Sequence, residues 1–151
     1  MMKRIRGLFT TTLISTVLLS GCATPDPFQS MSDGPCTTKQ KELVSTHIRD
    51  QISALANGDF KKAYTFAADA FQSSVSLEEF EFILKAQYQV LIQNNQINFG
   101  ECLIQAGEVN QLVEAKSAKQ QVTLNYRLTY IDNRLGINAA TAAKQIETLT
   151  T

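Results

Sequence analysis

The sequence has little of what most catalytic and metal sites are made from. Its 151 residues include one histidine, three cysteines and no tryptophan. Cys22, Cys36 and Cys102 have no zinc-type spacing to one another or to His47, which argues against a metal site. A serine or cysteine nucleophile needs a base, and neither a Gly-x-Ser-x-Gly motif nor a glycine-rich phosphate loop occurs. We therefore expect no catalytic residue and no cofactor.

The beginning of the chain has the segments of an exported precursor. Basic residues lie within the first six positions, and residues 7–20 are uncharged. That run is shorter than the ~20 apolar residues that a bilayer-spanning helix needs, and it is typical of a cleaved signal peptide. It ends in Leu19-Ser20-Gly21-Cys22, which resembles the lipobox of bacterial lipoprotein precursors.

This resemblance implies a lipid anchor. Residues 1–21 would be removed by cleavage between Gly21 and Cys22, and Cys22 would carry a diacylglycerol and a further acyl chain such as palmitate. Two or three chains anchor a protein stably, because each buried methylene contributes ~0.8 kcal/mol. Ala23 after the cysteine, in place of aspartate, favours the outer membrane. We therefore predict a protein of the cell envelope that is attached to a membrane through the lipid on Cys22. If the source has two membranes, the protein would be anchored in the outer membrane and face the periplasm.

The charge of the predicted mature chain argues against one class of partner. The full sequence has 14 basic and 14 acidic residues. Removal of residues 1–21 takes away three basic residues and no acidic residue. The mature chain then has 11 basic and 14 acidic residues, which is a net charge of 11 − 14 = −3. No lysine or arginine cluster supplies the positive surface that a phosphate backbone requires. Nucleic acid is therefore not an expected partner.

The predicted mature chain divides into a tether and one domain. Residues 22–36 are rich in Pro, Ser, Asp and Gly, so we interpret them as an acylated cysteine followed by a flexible tether. Residues 37–151 are long enough for a single domain with a core. Cys36 and Cys102 would both be exported to an oxidising compartment, which permits a disulfide; two buried free thiols are the alternative.

Apolar spacing predicts three helices followed by strands. The first helix runs from Thr38 to Ala56, the second is capped by Asp59 and extends to Phe71, and the third runs from a capping box at Ser76 to Tyr88. Alternating patterns then predict strands near residues 96–104, 109–115, 122–131 and 137–143. The fold class is therefore α+β, with three N-terminal helices packed on a curved antiparallel sheet of about four strands.

The turn before the last strand has its own signal. Asp132, Asn133 and Gly136 are residue types that favour turns, and we interpret them as one connection. The strand before it, from Val122 to Ile131, alternates apolar and polar residues, which predicts one buried face.

The order of these elements resembles a known bacterial family. The segments Ile48–Leu55, Gly58–Tyr64 and Phe80–Tyr88 are similar to the domain of unknown function four-eight-six-four, over roughly Val44 to Ile137. This resemblance implies the cone-shaped, cystatin-like fold of the SnoaL and ketosteroid isomerase group. That group includes enzymes, binding modules and adaptors, so the fold does not decide the function. The final strand departs from the family, because its usual tryptophan is absent.

Tyrosines are the best candidates for a pocket. In a concave apolar cavity their rings would contact an apolar ligand and their hydroxyls would orient it. Packing in the core is the alternative interpretation. The candidates are Tyr64, Tyr88, Tyr126 and Tyr130.

The remaining candidates concern acid–base chemistry. His47 and Asp50 are three residues apart on the first helix and would form a pair there. Asp69 would serve as an isomerase-type base if burial raised its pKa. Ordinary solvated side chains are the alternative for all three.

The leading interpretation is a non-enzymatic, membrane-anchored lipoprotein that binds an envelope protein or an apolar ligand. One alternative is a SnoaL-like hydrolyase or isomerase acting on a small apolar substrate, which would need an ionisable side chain in an open pocket. Another is a dimeric assembly module, since sheets of this fold pair into homodimers.

Overall fold

The computed structural model describes residues 25–143 and 147–148. The predicted signal peptide, residues 1–21, and the predicted lipidation of Cys22 lie outside the described residues. The helices are α1 Thr38–Ala56, α2 Phe60–Tyr64, α3 Asp69–Ser74, α4 Leu77–Gln87 and α5 Gln89–Ile92. The strands are β1 Gly34–Pro35, β2 Gln96–Gln105, β3 Glu108–Lys116, β4 Gln120–Ile131, β5 Arg134–Ala142 and β6 Glu147–Thr148. Among the described helices, none is both long enough and apolar enough to cross a bilayer.

The strands form one antiparallel sheet in the order β1-β2-β3-β4-β5, and β6 pairs with β4. The predicted α+β class is confirmed, and the sheet has two short strands, β1 and β6, beyond the four predicted. A bulge interrupts the β2–β3 pairing between Phe99 and Cys102. The buried amide of Gln111 donates to the Gly100 carbonyl there, at 3.1 Å, so the irregular backbone is satisfied from inside the sheet.

Side-chain caps fix three of the helix starts, and at α2 the predicted cap Asp59 accepts the Lys62 N–H at 2.9 Å. Thr37 and Gln40 form a capping box at the start of α1, and Ser76 and Glu79 form another at α4. Each box satisfies backbone N–H groups that the first helical turn leaves free. The hydrogen bond from the Ser76 N–H holds the pKa of Glu79 below its usual range.

The second predicted helix is divided in two. After α2 the chain leaves the helical path and pairs with β5: the Ile137 N–H donates to Phe66 O at 3.0 Å, and the Ala68 N–H donates to Ile137 O at 2.9 Å. The chain resumes as α3 at Asp69. The prediction of one helix was wrong here because backbone pairing with a distant strand replaced the internal hydrogen bonds of a helix.

Gly136 also differs from its predicted role. Asp132 and Asn133, with φ of 51° and 58°, form the two-residue turn by themselves. Gly136 lies within β5, where an added Cβ would stand 2.6 Å from the Ala68 Cα. The glycine therefore permits the close approach of residues 66–68 to the edge of the sheet.

The core lies between the helices and one face of the sheet. Alternate residues of β4 are buried, as the sequence predicts. They meet the apolar stripe of α1, which is also buried. The members of this core on α1 and β4 include Val44, Ile48, Ile52, Leu55, Val122, Leu124, Tyr126 and Leu128.

Residues 25–36, within the interval predicted to be a tether, contact the domain; we call them the strap. Phe28 is 5% exposed and stacks on Tyr130, with ring centroids 4.7 Å apart. At the other end of the strap, Cys36 and Cys102 form a disulfide with a Cα–Cα distance of 5.4 Å. Of the two alternatives that the sequence left open for these cysteines, the structure has the disulfide.

Candidate functional site

A cavity of about 200 Å³ lies between the helices and the β4–β5 face of the sheet. Its wall is mostly aliphatic and aromatic, with contributions from α1, α3, α4, α5, β4 and β5. No residue of this wall is a carboxylate, a histidine, a lysine or an arginine. The larger apolar members of the wall include Leu55, Phe71, Phe80, Leu84, Leu91 and Ile137. A small, largely apolar molecule is the kind of ligand that such a surface holds.

The polar groups of the wall differ in whether they have partners. The Tyr88 hydroxyl donates to Ala140 O at 3.0 Å, and the Gln51 amide donates to Ala63 O at 3.3 Å. Tyr126 has no such partner. Among the described residues, its hydroxyl is the one buried side-chain oxygen or nitrogen that lacks a hydrogen bond. Tyr126 therefore brings a buried hydroxyl without a partner to the wall of the cavity.

The ionisation of Tyr126 is suppressed. Burial raises the pKa of Tyr126 well above its ordinary value of 10, and the nearby Tyr88 raises it further. The hydroxyl therefore keeps its proton throughout the physiological range and can donate a hydrogen bond. A phenol that does not ionise near neutral pH is poorly suited to act as a general base.

The four candidate tyrosines do not share one site. Tyr88 and Tyr126 line the cavity. The Tyr64 hydroxyl donates to Val75 O at 2.6 Å, which ties α2 to the segment after α3. The Tyr130 hydroxyl donates to Asp26 Oδ2 at 2.6 Å and faces a separate surface groove beside the strap.

The acid–base candidates lie outside the cavity wall. His47 Nε2 donates to Phe66 O at 3.0 Å. Burial lowers the pKa of His47 below its ordinary value of 6.5, although this hydrogen bond opposes the effect. His47 and Asp50 both line the groove beside the strap. Asp69, whose side chain is 85% exposed, forms an ion pair with Arg134.

Sequence reasoning did not single out Gln51 or Asn138 as wall residues. The sequence does contain a signal for Gln51, because this residue lies on the apolar stripe of α1, one turn after Ile48. A polar residue in such a position either has a hydrogen-bond partner in the core or is part of a site. The sequence contains no such signal for Asn138, because its position depends on the register of β5. In the part of the chain that the structure describes, no group of three His, Cys, Asp or Glu side chains is placed to hold a metal ion.

The family model for a domain of unknown function, DUF4864, matches residues 37–148. The chain belongs to the DUF4864 family. The match covers α1 to β6, and therefore both walls of the cavity, and it begins one residue after the disulfide at Cys36. Neither the curated proteins nor the solved structures contain a match to this chain. The description of this family names no activity.

Proposed function

We propose that this DUF4864 protein is a lipid-anchored protein of the cell envelope that binds, without transforming it, a small apolar molecule carrying one hydrogen-bond acceptor. The observation that carries the proposal is the buried, unpartnered hydroxyl of Tyr126 at the wall of an apolar cavity. The anchor rests on the resemblance of Leu19-Ser20-Gly21-Cys22 to a lipobox.

The free hydroxyl favours a ligand over an empty or water-filled cavity. Leaving a buried donor without a partner costs about 1–3 kcal/mol, so the ligand-free state carries a penalty that a bound acceptor removes. An ordered water needs 2–4 polar partners, and the side chains around Tyr126 are mainly apolar. A ligand with an apolar body and one acceptor matches both the wall and the donor.

The volume limits the size of the ligand. An apolar cavity of ~150 Å³ can hold benzene, so about 200 Å³ suits a molecule of roughly ten non-hydrogen atoms. A whole phospholipid is too large. Small aromatic or branched aliphatic ketones, aldehydes and esters have the required size and chemistry.

Binding is favoured over catalysis by the composition of the wall. Hydrolyases and isomerases move protons with groups whose pKa lies near the working pH. The wall offers only tyrosines as titratable groups, and burial moves the pKa of Tyr126 away from neutrality. The candidate base Asp69 is exposed and paired with Arg134.

The homodimer stays a prediction, which light scattering at several concentrations tests.

Two isosteric probes test the proposed binding. Acetophenone has a carbonyl acceptor, and α-methylstyrene replaces that oxygen with a methylene group of similar size. At roughly 0.6 kcal/mol for each of about nine heavy atoms, acetophenone should bind with a Kd on the order of 0.1 mM. The hydrogen bond should make its affinity about fivefold higher than that of α-methylstyrene. Isothermal titration calorimetry with the purified protein measures both.

A filled cavity provides the control. Ala140 lies opposite Tyr126 in the β4–β5 register and lines the wall, so Ala140→Leu should abolish binding of both probes. Equal affinity for the two probes in the wild-type chain, or unchanged binding in Ala140→Leu, would refute the proposed site. The anchor is tested separately by intact mass and detergent partitioning of the native chain and of Cys22→Ala.

A further inference from the structure

The strap is bonded to the rest of the domain near both of its ends. Near its start, Asp26 accepts the Tyr130 hydroxyl, and the Gln40 amide donates to Pro27 O at 2.7 Å. Further along, Asp33 accepts the Ala106 N–H at 2.8 Å, and β1 pairs with β2. The disulfide at Cys36 closes the strap. Contacts at both ends therefore hold the strap in one path across the domain.

This path determines where the chain leaves the domain on its N-terminal side. Pro25 is the first described residue, and Asp26 next to it is bonded to Tyr130 at the end of β4. Ile131 follows Tyr130, and the β4–β5 turn follows Ile131. The exit of the chain and the tip of this hairpin therefore lie at the same end of the molecule.

The remaining length to the predicted lipid is short. Three peptide units join Cys22 to Pro25 and span at most ~11 Å, about a third of the thickness of a bilayer core. A flexible tether that continued through residue 36 would allow the domain to turn freely. A docked strap leaves only this short link.

From these contacts we infer that the tip of the β4–β5 hairpin, around Ile131, faces a lipid bilayer and contacts its surface. The inference rests on the lipid anchor of the proposed function and adds the orientation of the domain to it. The side chain of Ile131 is apolar, and the residue is 63% exposed. Isolated exposed apolar residues are common on protein surfaces, but this one is next to Tyr130, which holds Asp26 near the first described residue of the strap.

The absence of tryptophan from the sequence allows a direct test. Ile131→Trp places a single indole at the hairpin tip. Ala118→Trp places it in the exposed β3–β4 turn at the opposite end of β4, a strand of 12 residues and therefore about 40 Å away. Each full-length, lipidated variant is reconstituted into phosphatidylethanolamine–phosphatidylglycerol vesicles with and without a spin label on the lipid headgroup.

We expect the spin label to quench the fluorescence of Ile131→Trp and to leave that of Ala118→Trp unchanged. Equal quenching of both, or stronger quenching of Ala118→Trp, would overturn the inference. Exposed tryptophan fluorescence with no quenching in either lipidated variant would overturn it as well. A tryptophan at position 131 that is shielded from water but not quenched by lipid would indicate a protein partner in place of the bilayer.

A longer link provides the matched control. About twelve Gly/Ser residues inserted between Thr24 and Pro25 add a flexible span of roughly 20 Å without touching the strap. Quenching of Ile131→Trp should then fall towards the level of Ala118→Trp. An unlipidated chain that does not associate with vesicles would overturn both the orientation and the anchor, while leaving the acetophenone result untouched. A lipidated chain without preferential quenching would overturn the orientation alone.

Discussion

Replacing Tyr126 by phenylalanine removes one oxygen from the cavity wall and leaves the ring in the core. In the ligand-free protein that hydroxyl is buried and has no partner among the described residues. An unpaired buried donor costs about 1–3 kcal/mol. The packing of the oxygen offsets only part of this, because each atom pair contributes ~0.1–0.2 kcal/mol. We expect Tyr126→Phe to raise the free energy of unfolding by about 1–2 kcal/mol.

The same substitution should weaken recognition of the ligand. A neutral hydrogen bond contributes a net ~1 kcal/mol, so the roughly fivefold preference for acetophenone over α-methylstyrene should disappear in Tyr126→Phe. Stability and selectivity then change in opposite directions. This combination is expected of a group retained for binding and is not expected of an ordinary core tyrosine.

Tyr88→Phe is the matched control within the same wall. Its hydroxyl already donates to Ala140 O, so its removal should lower the free energy of unfolding by about 0.5–1.5 kcal/mol. Urea titrations of the wild type and both variants, with equal slopes of free energy against urea concentration, give the three values. If Tyr126→Phe were destabilised by about 1 kcal/mol or more, the hydroxyl would have a partner, and the argument for a free donor would fail.

Three further predictions concern the frame around the cavity. Cys102→Ser opens a disulfide that spans 66 residues and should lower the free energy of unfolding by about 4 kcal/mol, measured by urea titration against the oxidised wild type. Gly136→Ala places a Cβ against the Ala68 backbone and should cost about 1–3 kcal/mol or more, whereas Gly100→Ala, whose nearest contact is a side-chain atom at 3.3 Å, should cost less; equal losses would contradict the close approach. Burial lowers the folded-state pKa of His47, so the contribution of neutral His47 to the free energy of unfolding should be fully present above pH 6.5. This contribution should decline as the pH falls through the folded-state pKa. Urea titrations at several pH values should show the decline in the wild type and not in His47→Gln.

Local signals were sufficient for the parts of the fold that local interactions determine. The start of α4 follows from Ser76 and Glu79, which the structure joins in a capping box. The end of α1 follows from Asn57 and Gly58, where the glycine adopts a φ of 73°. The alternation in β4 predicted its buried face because a side-chain period of two depends only on the backbone.

The amino-acid composition of the strap did not predict that the strap is held against the domain. Pro, Ser, Asp and Gly predict an irregular backbone, and residues 25–33 are irregular. An irregular segment is mobile only if nothing fixes it, and Phe28, Cys36 and Asp33 do so through a stack, a disulfide and a hydrogen bond. Their partners are 66 to 102 positions away in sequence, as the pairs with Cys102 and Tyr130 illustrate. No local pattern encodes contacts over such separations.

The cavity and the wrongly predicted second helix have the same cause. β5 lies at the edge of the sheet, and residues 66–68 satisfy part of that edge through their hydrogen bonds with Ile137. A continuous helix from residue 60 to residue 71 would use those backbone groups internally and could not pair there. Ala67 and its bridge partner Ile137 both line the cavity, so the interruption forms part of its wall. The helical periodicity predicted the wrong structure for residues 66–68 because these residues pair with a distant strand, and the candidate site is formed in part by this same segment.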